Sequence, residues 1–213
     1  AAPPAAAAGD TVVLSVVYEG SPPRHGPLYA GLLAREQPDG PSLGNVSQPY
    51  STHSWLPSKD HPADKATLEL TVIAPDTLTV AATGRLLGTD ALERGRTRWR
   101  WASDHPVAPY LIGLLASDFV SWHEDCGGLP LEFHAFATHQ ADADSAYAPT
   151  CEMVQLFEDL FGPYPFAGEK YAQAEFVWGG AMENQTVSAM GQATLLLPVR
   201  TARKVVAHEL IHH

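Results

Sequence analysis

The first two thirds of the chain consist mainly of short runs in which apolar and polar residues alternate. A period of two residues is typical of β-strands with one buried face, and Pro, Gly and Asp residues separate the runs. The pattern predicts strands at Thr11–Tyr18, Ala66–Ile73, Thr77–Ala82, Arg96–Trp101, Leu111–Val120 and Leu129–Ala137. We therefore expect residues 1–143 to form a β-rich N-terminal domain.

The spacing of apolar residues changes near Asp142. Apolar positions then recur with the period of an α-helix that ends at Gly162, at Met153, Leu156, Phe157 and Leu160. Further along, the pattern predicts a strand, a short strand and a helix, at Tyr171–Trp178, Gln192–Leu197 and Thr201–His213. Residues 144–213 are therefore predicted to begin a second domain that mixes α and β structure.

Acidic residues outnumber basic ones, because 24 Asp and Glu against 13 Lys and Arg give a formal net charge of −11. Such a charge repels phosphate backbones and anionic lipid surfaces, so we expect neither a nucleic acid nor a membrane as partner. With 45% hydrophobic residues in 213, and no apolar run of about eighteen residues, we expect a globular, soluble chain. The compartment stays open, with the cytoplasm favoured.

Cys126 and Cys151 are the two cysteines of the chain. Their spacing matches no thiol zinc site. Lone cysteines are more often buried small hydrophobic side chains than disulfide partners. We therefore expect free thiols, with a disulfide as the alternative.

The predicted last helix contains His208, Glu209 and His212 in the pattern H-E-x-x-H. Histidines four residues apart project from one face of a helix, about one turn apart, and can bind one Zn²⁺. Glu209 lies beside them, where it can take a proton from a water that the metal has made more acidic. A chance match on an ordinary surface helix is the alternative, and the zinc site is the better reading of the apolar, helix-compatible surroundings.

A second segment follows the predicted strand Tyr171–Trp178 and consists of Gly179, Gly180, Ala181, Met182, Glu183 and Asn184. Its glycines let the backbone approach a ligand closely, and an exposed strand edge can pair with an extended peptide. Glu183 can hold a free ammonium group at that edge. Without the downstream helix, a glycine hairpin with a solvated Glu would be the better interpretation.

Together these segments resemble the aminopeptidase N family of zinc metallopeptidases, in which a GxMEN loop precedes H-E-x-x-H. The residues Gly180–Asn184 match that loop letter for letter. The stretch Trp55–Ala66 is similar to the family's W-x-P-x-x-D-x-P-x-D-K-A, and Phe161–Pro165 reads F-G-P-Y-P before the catalytic strand. The four motifs occur in the family's order.

The resemblance implies a saddle-like β-sandwich domain, incomplete at its start, followed by the beginning of an α+β thermolysin-like catalytic domain. It also implies that His208 and His212 bind one Zn²⁺, that Glu209 is the general base and that Glu183 binds the α-ammonium of a peptide with a free N-terminus. Gln48 matches a position where relatives place a Glu or Gln that helps to hold the same ammonium.

The chain departs from the family pattern after His213, where the sequence ends. In relatives the third zinc ligand is a Glu about eighteen residues after the second His, and a later Tyr steadies the oxyanion. We therefore expect the 213 residues alone to be inactive, with the rest of a catalytic domain and a C-terminal domain, in the same or a nicked chain, as partners.

Two alternatives to an aminopeptidase remain open. One is an endopeptidase or dual-function hydrolase on the same zinc scaffold. The other is a non-catalytic fragment that uses the same loop only to bind a peptide or a partner chain. A requirement for a free amine separates the first from an aminopeptidase, and zinc content separates the second.

Overall fold

The computed structural model describes residue 7, residues 9–22 and residues 31–213. The β-strands of this part are β1 (Gly31–Gln37), β2 (Gly40–Val46), β3 (Ala66–Pro75), β4 (Thr79–Ala82), β5 (Arg85–Leu92), β6 (Arg96–Val107), β7 (Leu114–Ser117), β8 (Phe119–Cys126), β9 (Leu129–Phe136), β10 (Tyr171–Phe176), β11 (Ala181–Met182) and β12 (Val187–Gly191). Its α-helices are α1 (Gln140–Tyr147), α2 (Thr150–Phe161), α3 (Gln192–Leu195) and α4 (Val199–Ile211).

Two antiparallel sheets of the β-rich part pack face to face. One has the strand order β1-β2-β7-β4 and the other has the order β3-β6-β5. A hydrophobic cluster between them takes Val80 and Leu114 from the first sheet and Ala74 and Trp101 from the second. Their neighbours Ala81 and Leu115 in the four-stranded sheet lie in a different cluster, on the opposite face of that sheet, as a two-residue period requires.

The other face of the four-stranded sheet packs against a third sheet, of order β11-β12-β10-β9-β8, in which β10 runs parallel to both its neighbours. A second hydrophobic cluster lies between these two sheets. It contains Leu115 of β7 together with Ala174 and Phe176 of β10. Gly44 of β2 permits the approach, because a Cβ there would lie 2.5 Å from the Phe176 ring.

The helices cover the remaining face of the five-stranded sheet. Phe133 of β9, Tyr147 of α1, Val154 of α2 and Val206 of α4 share one buried cluster there. The boundary predicted near residue 143 lies between β9 and β10, so residues on both sides of it contribute strands to this sheet. Within the described residues, no helix is long and apolar enough to cross a membrane.

Cys126 and Cys151 form a disulfide, so the expectation of free thiols is wrong. The bond joins the end of β8 to the first turn of α2. The fold brings the two residues, 25 positions apart in sequence, to a Cα–Cα distance of 5.4 Å. This is the usual spacing for a disulfide, and sequence spacing alone does not reveal it.

The strand predicted at Thr11–Tyr18 is wrong. The segment is irregular, and Val13 and Val17 are 92% and 97% exposed. One hydrogen bond between this segment and the rest of the protein comes from the Tyr18 hydroxyl, which donates to the carbonyl oxygen of Trp55 at 2.9 Å. A strand is stabilised by its ladder and by a packed face, so β-branched residues without a neighbouring strand in the described chain do not form one.

Two further elements differ from prediction. The single strand predicted at Leu111–Val120 is not present. Leu111 ends a 3₁₀ turn that begins at Pro109, and the rest of the segment contains β7 and the start of β8. The short strand predicted at Gln192–Leu197 is wrong, because this segment is the helix α3. Its Gln, Ala and Leu are good helix formers, and the periodicity of so short an apolar run cannot separate strand from helix.

The other predicted elements are confirmed with shifted ends. β3, β4, β6, β9 and β10 lie where strands are predicted, although β6 continues to Val107 and β10 ends at Phe176. α2 ends at Phe161, immediately before the predicted stop at Gly162. α4 begins two residues before the predicted start and ends at Ile211.

Candidate active site

The helix α4 presents two histidines on its exposed side. Its opposite side is fixed in the core, since Ala202, Val206 and Leu210 are at most 4% exposed. His208 and His212 are exposed, and their Nε2 atoms lie 3.2 Å apart. The packing of the helix therefore fixes the direction in which both imidazoles point.

This arrangement fits part of a zinc site. Two nitrogen ligands of a tetrahedral Zn²⁺ lie about 3.3 Å apart, given Zn–N bonds of about 2.0 Å. The observed Nε2 separation of 3.2 Å agrees with that value. No group of three His, Cys, Asp or Glu side chains gathers in the described residues, so these residues supply two donors of the usual three.

Glu209 lies between the two histidines in sequence but is buried, with 5% of its surface exposed. Burial, and next the nearby carboxylate of Glu183, raise its pKa to about 7. A carboxylate with a pKa near neutrality is a suitable proton acceptor for work near neutral pH. The electrostatic effect also places Glu183 close to Glu209, although the two residues are far apart in sequence.

The metal-free chain should lose stability as the pH rises from about 4.5 to about 7. Its folded state keeps the Glu209 proton up to about pH 7, whereas the unfolded chain releases it near 4.5. The folded state therefore binds more protons in this window, and the free energy of unfolding falls by up to about 3 kcal/mol.

Denaturant titrations at several pH values, in the presence of a chelator, measure this effect. We expect Glu209→Gln to remove this part of the slope, since the amide does not titrate. Glu93→Gln, in the exposed turn between β5 and β6, is the matched control and should keep it. Equal slopes for Glu209→Gln and the unsubstituted chain would contradict the prediction.

The loop Gly179–Asn184 connects β10 to β12 and contains β11 at the edge of the five-stranded sheet. Ala181 and Met182 pair with Met190 and Ala189 of β12. The loop approaches β12 so closely that a Cβ at Gly191 would lie 2.0 Å from the carbonyl oxygen of Gly180. The loop is thus held on one side, and β11 is the outermost strand of its sheet in the described chain.

The end of this loop is fixed to the β-rich part. Asn184 is fully buried, and its Nδ2 donates to the carbonyl oxygen of Ile112 at 3.4 Å. The backbone N–H of Gln185 donates to the carbonyl oxygen of Leu111 at 2.9 Å. Glu183, directly before these anchored residues, is half-buried.

The structure thus brings four of the predicted site residues together in two pairs: His208 and His212, whose Nε2 atoms lie 3.2 Å apart, and Glu209 and Glu183, whose carboxylates interact. Gln48 is half-buried in the turn after β2. Its part in binding an ammonium group stays a prediction.

Sequence reasoning missed Tyr110, which lies in the 3₁₀ turn that holds Gln185. Burial, and next the charge of Glu183, raise the pKa of its hydroxyl. Tyr110 therefore lies near the Glu183 carboxylate. No sequence motif marks it, because the electrostatic interaction joins segments about seventy residues apart.

His213 directly follows His212 but does not share its exposure. Its ring is instead packed among Tyr164, Phe166 and Tyr171, with centroid distances of 5.1 to 6.1 Å. Burial, and next the positive charge of Lys170, lower its pKa to about 3. The imidazole is therefore neutral at physiological pH and anchors the end of α4.

Comparisons with known proteins point to one group of enzymes. The aminopeptidase N of Acetobacter pasteurianus is 28% identical over 169 residues, which cover 74% of this chain and 47% of that protein. No protein-family model matches the sequence.

Solved structures agree with this. The M1 zinc metallopeptidase of Deinococcus radiodurans superimposes with a TM-score of 0.68 at 25% identity, over 80% of this chain and 39% of that one. A mutant of that enzyme bound to a Tyr-Ser-Ala substrate gives a TM-score of 0.67 at 25% identity, over 80% of this chain and 39% of its own.

The chain spans less than half the length of these relatives. Motifs, sequence similarity and fold nevertheless agree. The chain is therefore similar in sequence and in fold to aminopeptidase N and to the M1 zinc metallopeptidases.

Proposed function

We propose that the protein carrying this chain is a zinc-dependent aminopeptidase, which removes the N-terminal residue from peptides. The observation that supports this most is the convergence of the His208 and His212 Nε2 atoms at 3.2 Å, next to a buried Glu209 that interacts with Glu183. We further propose that residues 1–143 are the N-terminal β domain and that residues 144–213 begin a thermolysin-like catalytic domain.

Each residue then has one task. His208 and His212 hold Zn²⁺, which when bound polarises the scissile carbonyl and acidifies a water. Glu209 takes the proton from the attacking water and passes it to the leaving amine. Its burial suits this task, because a desolvated carboxylate is a stronger proton acceptor than a hydrated one.

Glu183 receives the free α-ammonium of the substrate, and the substrate backbone lies along β11. Binding there favours peptides with a free N-terminus, because an internal peptide segment would leave the Glu183 charge without a partner. Gln48 assists at the same ammonium. The mutant Deinococcus enzyme with bound Tyr-Ser-Ala supports a peptide as the class of substrate.

The 213 residues by themselves are proposed to be inactive. Their described part supplies two histidine donors, and a catalytic zinc usually has three protein ligands. Zinc affinity and oxyanion stabilisation then depend on segments such as those that relatives contain beyond this region.

Hydrolysis of leucine p-nitroanilide by the protein at its natural length tests the proposal. We expect turnover that a zinc chelator abolishes, that added Zn²⁺ restores, and that N-acetylation of the substrate prevents. Cleavage of the acetylated peptide would favour the endopeptidase alternative. Absence of bound zinc together with retained peptide binding would favour the non-catalytic one.

A further inference from the structure

Thr186, two residues after the Gly179–Asn184 loop, has an unusual backbone conformation. Its φ angle is +64°, in the left-handed region that β-branched residues rarely adopt. The residue is fully buried. A conformation of this kind persists only where surrounding contacts hold it, and such positions cluster at functional sites.

The contacts that hold Thr186 come from four residues in three separate segments. Its carbonyl oxygen accepts from the N–H of Ala172 at 2.9 Å and from Lys170 Nζ at 3.1 Å. Its Oγ1 accepts from the N–H of Gly84 at 2.8 Å and from Lys170 Nζ at 3.4 Å. Its own N–H donates to His213 Nδ1 at 3.3 Å.

Two of these partners connect the site to the rest of the fold. Gly84 precedes β5, in the β-rich part. Lys170 is 1% exposed and also donates to the carbonyl oxygen of Ala82 at 2.9 Å. Burial lowers its pKa to about 8, so it is largely protonated at neutral pH and all three of its hydrogen bonds are charge-assisted.

The remaining partner belongs to the end of the histidine-bearing helix. His213 directly follows His212, and Thr186 is three residues after Glu183. The residues between Glu183 and Thr186 are Asn184 and Gln185, which are 0% and 6% exposed and are anchored to the β-rich part. The distance between the Glu183 carboxylate and the two imidazoles can therefore vary little.

We propose that Thr186 is a positioning residue that sets the distance between the substrate-amine carboxylate Glu183 and the histidines of α4. The inference rests on the proposed function. Thr186 touches no substrate. It acts through the hydrogen bonds that tie the end of the Glu183 loop to His213 and to the β-rich part.

Thr186→Val tests this, because valine keeps the branched shape and removes the Oγ1 acceptor for Gly84 and Lys170. These bonds hold the left-handed backbone whose N–H donates to His213, so their loss should loosen that bond as well. Thr186→Ser keeps the acceptor and should rescue. Thr150→Val is the matched control: Thr150 is also fully buried, and its Oγ1, at the start of α2, donates mainly to the carbonyl oxygen of Tyr147 at 2.6 Å. Lys170→Met is the second variant, for use if Thr186→Val does not fold.

Two readouts are needed. In metal-free protein, hydrogen exchange of the segments 179–186 and 204–213 should both accelerate about tenfold in Thr186→Val, and neither should in Thr150→Val. At natural length, kcat/KM for leucine p-nitroanilide should fall by about tenfold or more below the unfolding transition, since small displacements of reacting groups reduce rates strongly. Thr150→Val should lower Tm and leave the kinetic constants unchanged.

Acceleration in only one of the two segments, or an unchanged kcat/KM in an active enzyme, would overturn the inference. If the unsubstituted protein at natural length hydrolyses no free-amine substrate, the proposed function fails. The exchange experiment still decides whether Thr186 couples the loop to the helix.

Discussion

Glu209→Gln is expected to lower kcat for an aminoacyl arylamide about a thousandfold at natural length, which corresponds to about 4 kcal/mol of transition-state stabilisation. The amide keeps the size of the side chain but cannot accept a proton from water. KM and bound zinc should change little, because Glu209 is proposed neither to ligate the metal nor to contact the substrate amine. Steady-state kinetics together with metal analysis of the same preparation measures both.

The control for this substitution is Glu93→Gln, which makes the same chemical change in an exposed turn and should retain full activity. If Glu209→Gln lost its zinc along with its activity, the assignment as general base would be wrong. A kcat within a few fold of the unsubstituted enzyme would have the same meaning.

Glu183→Gln is expected to act mainly on substrates with a free amine. Removing one member of a partly buried charge pair costs about 2 to 4 kcal/mol, so kcat/KM for these substrates should fall by about 30-fold to 1000-fold. Most of the loss should appear in KM, because the ammonium is held in the ground state as well as in the transition state.

The ratio of kcat/KM between a free-amine peptide and its N-acetylated form makes this experiment specific. We expect Glu183→Gln to bring that ratio much closer to one, whereas Glu209→Gln should lower the rates without changing it. An unchanged ratio in Glu183→Gln would show that another group selects the free N-terminus.

Local patterns of the sequence predicted those parts of the site that depend on spacing within one element. The four-residue separation of His208 and His212 is sufficient to place both rings on one side of a helix. The helix Thr201–His213 was itself predicted from the spacing of its apolar residues. Both results come from interactions within about one helical turn, which a sequence records directly.

The parts that could not be predicted depend on contacts between distant segments. Thr186 carries no signal of its left-handed conformation, because Gly, Asn and Asp are the residues usually found there. Its partners Gly84 and Lys170 lie in other parts of the chain. The Cys126–Cys151 disulfide was missed for the same reason.

Local sequence preference gave wrong predictions for two segments whose conformation depends on tertiary contacts. Thr11–Tyr18 has the composition of a strand, yet it remains irregular in the described structure. Gln192–Leu195 shows the reverse, since a segment predicted as a strand forms a helix immediately after β12. Burial of Leu195 in the helical cluster decides this outcome, and burial depends on tertiary structure.

The four-stranded sheet separates two hydrophobic cores and contributes residues to both. Leu114 and Ala116 of β7 belong to one cluster and Leu115 to the other. A slip of β7 by a single position would exchange these faces and damage both interiors at once. The packing of the five-stranded sheet, which carries the Glu183 loop, therefore depends on the register of β7 in the four-stranded sheet. A substitution of Leu114 or Ala116, on the face turned away from the Glu183 loop, is therefore expected to disturb Leu115 and the sheet that Leu115 contacts as well.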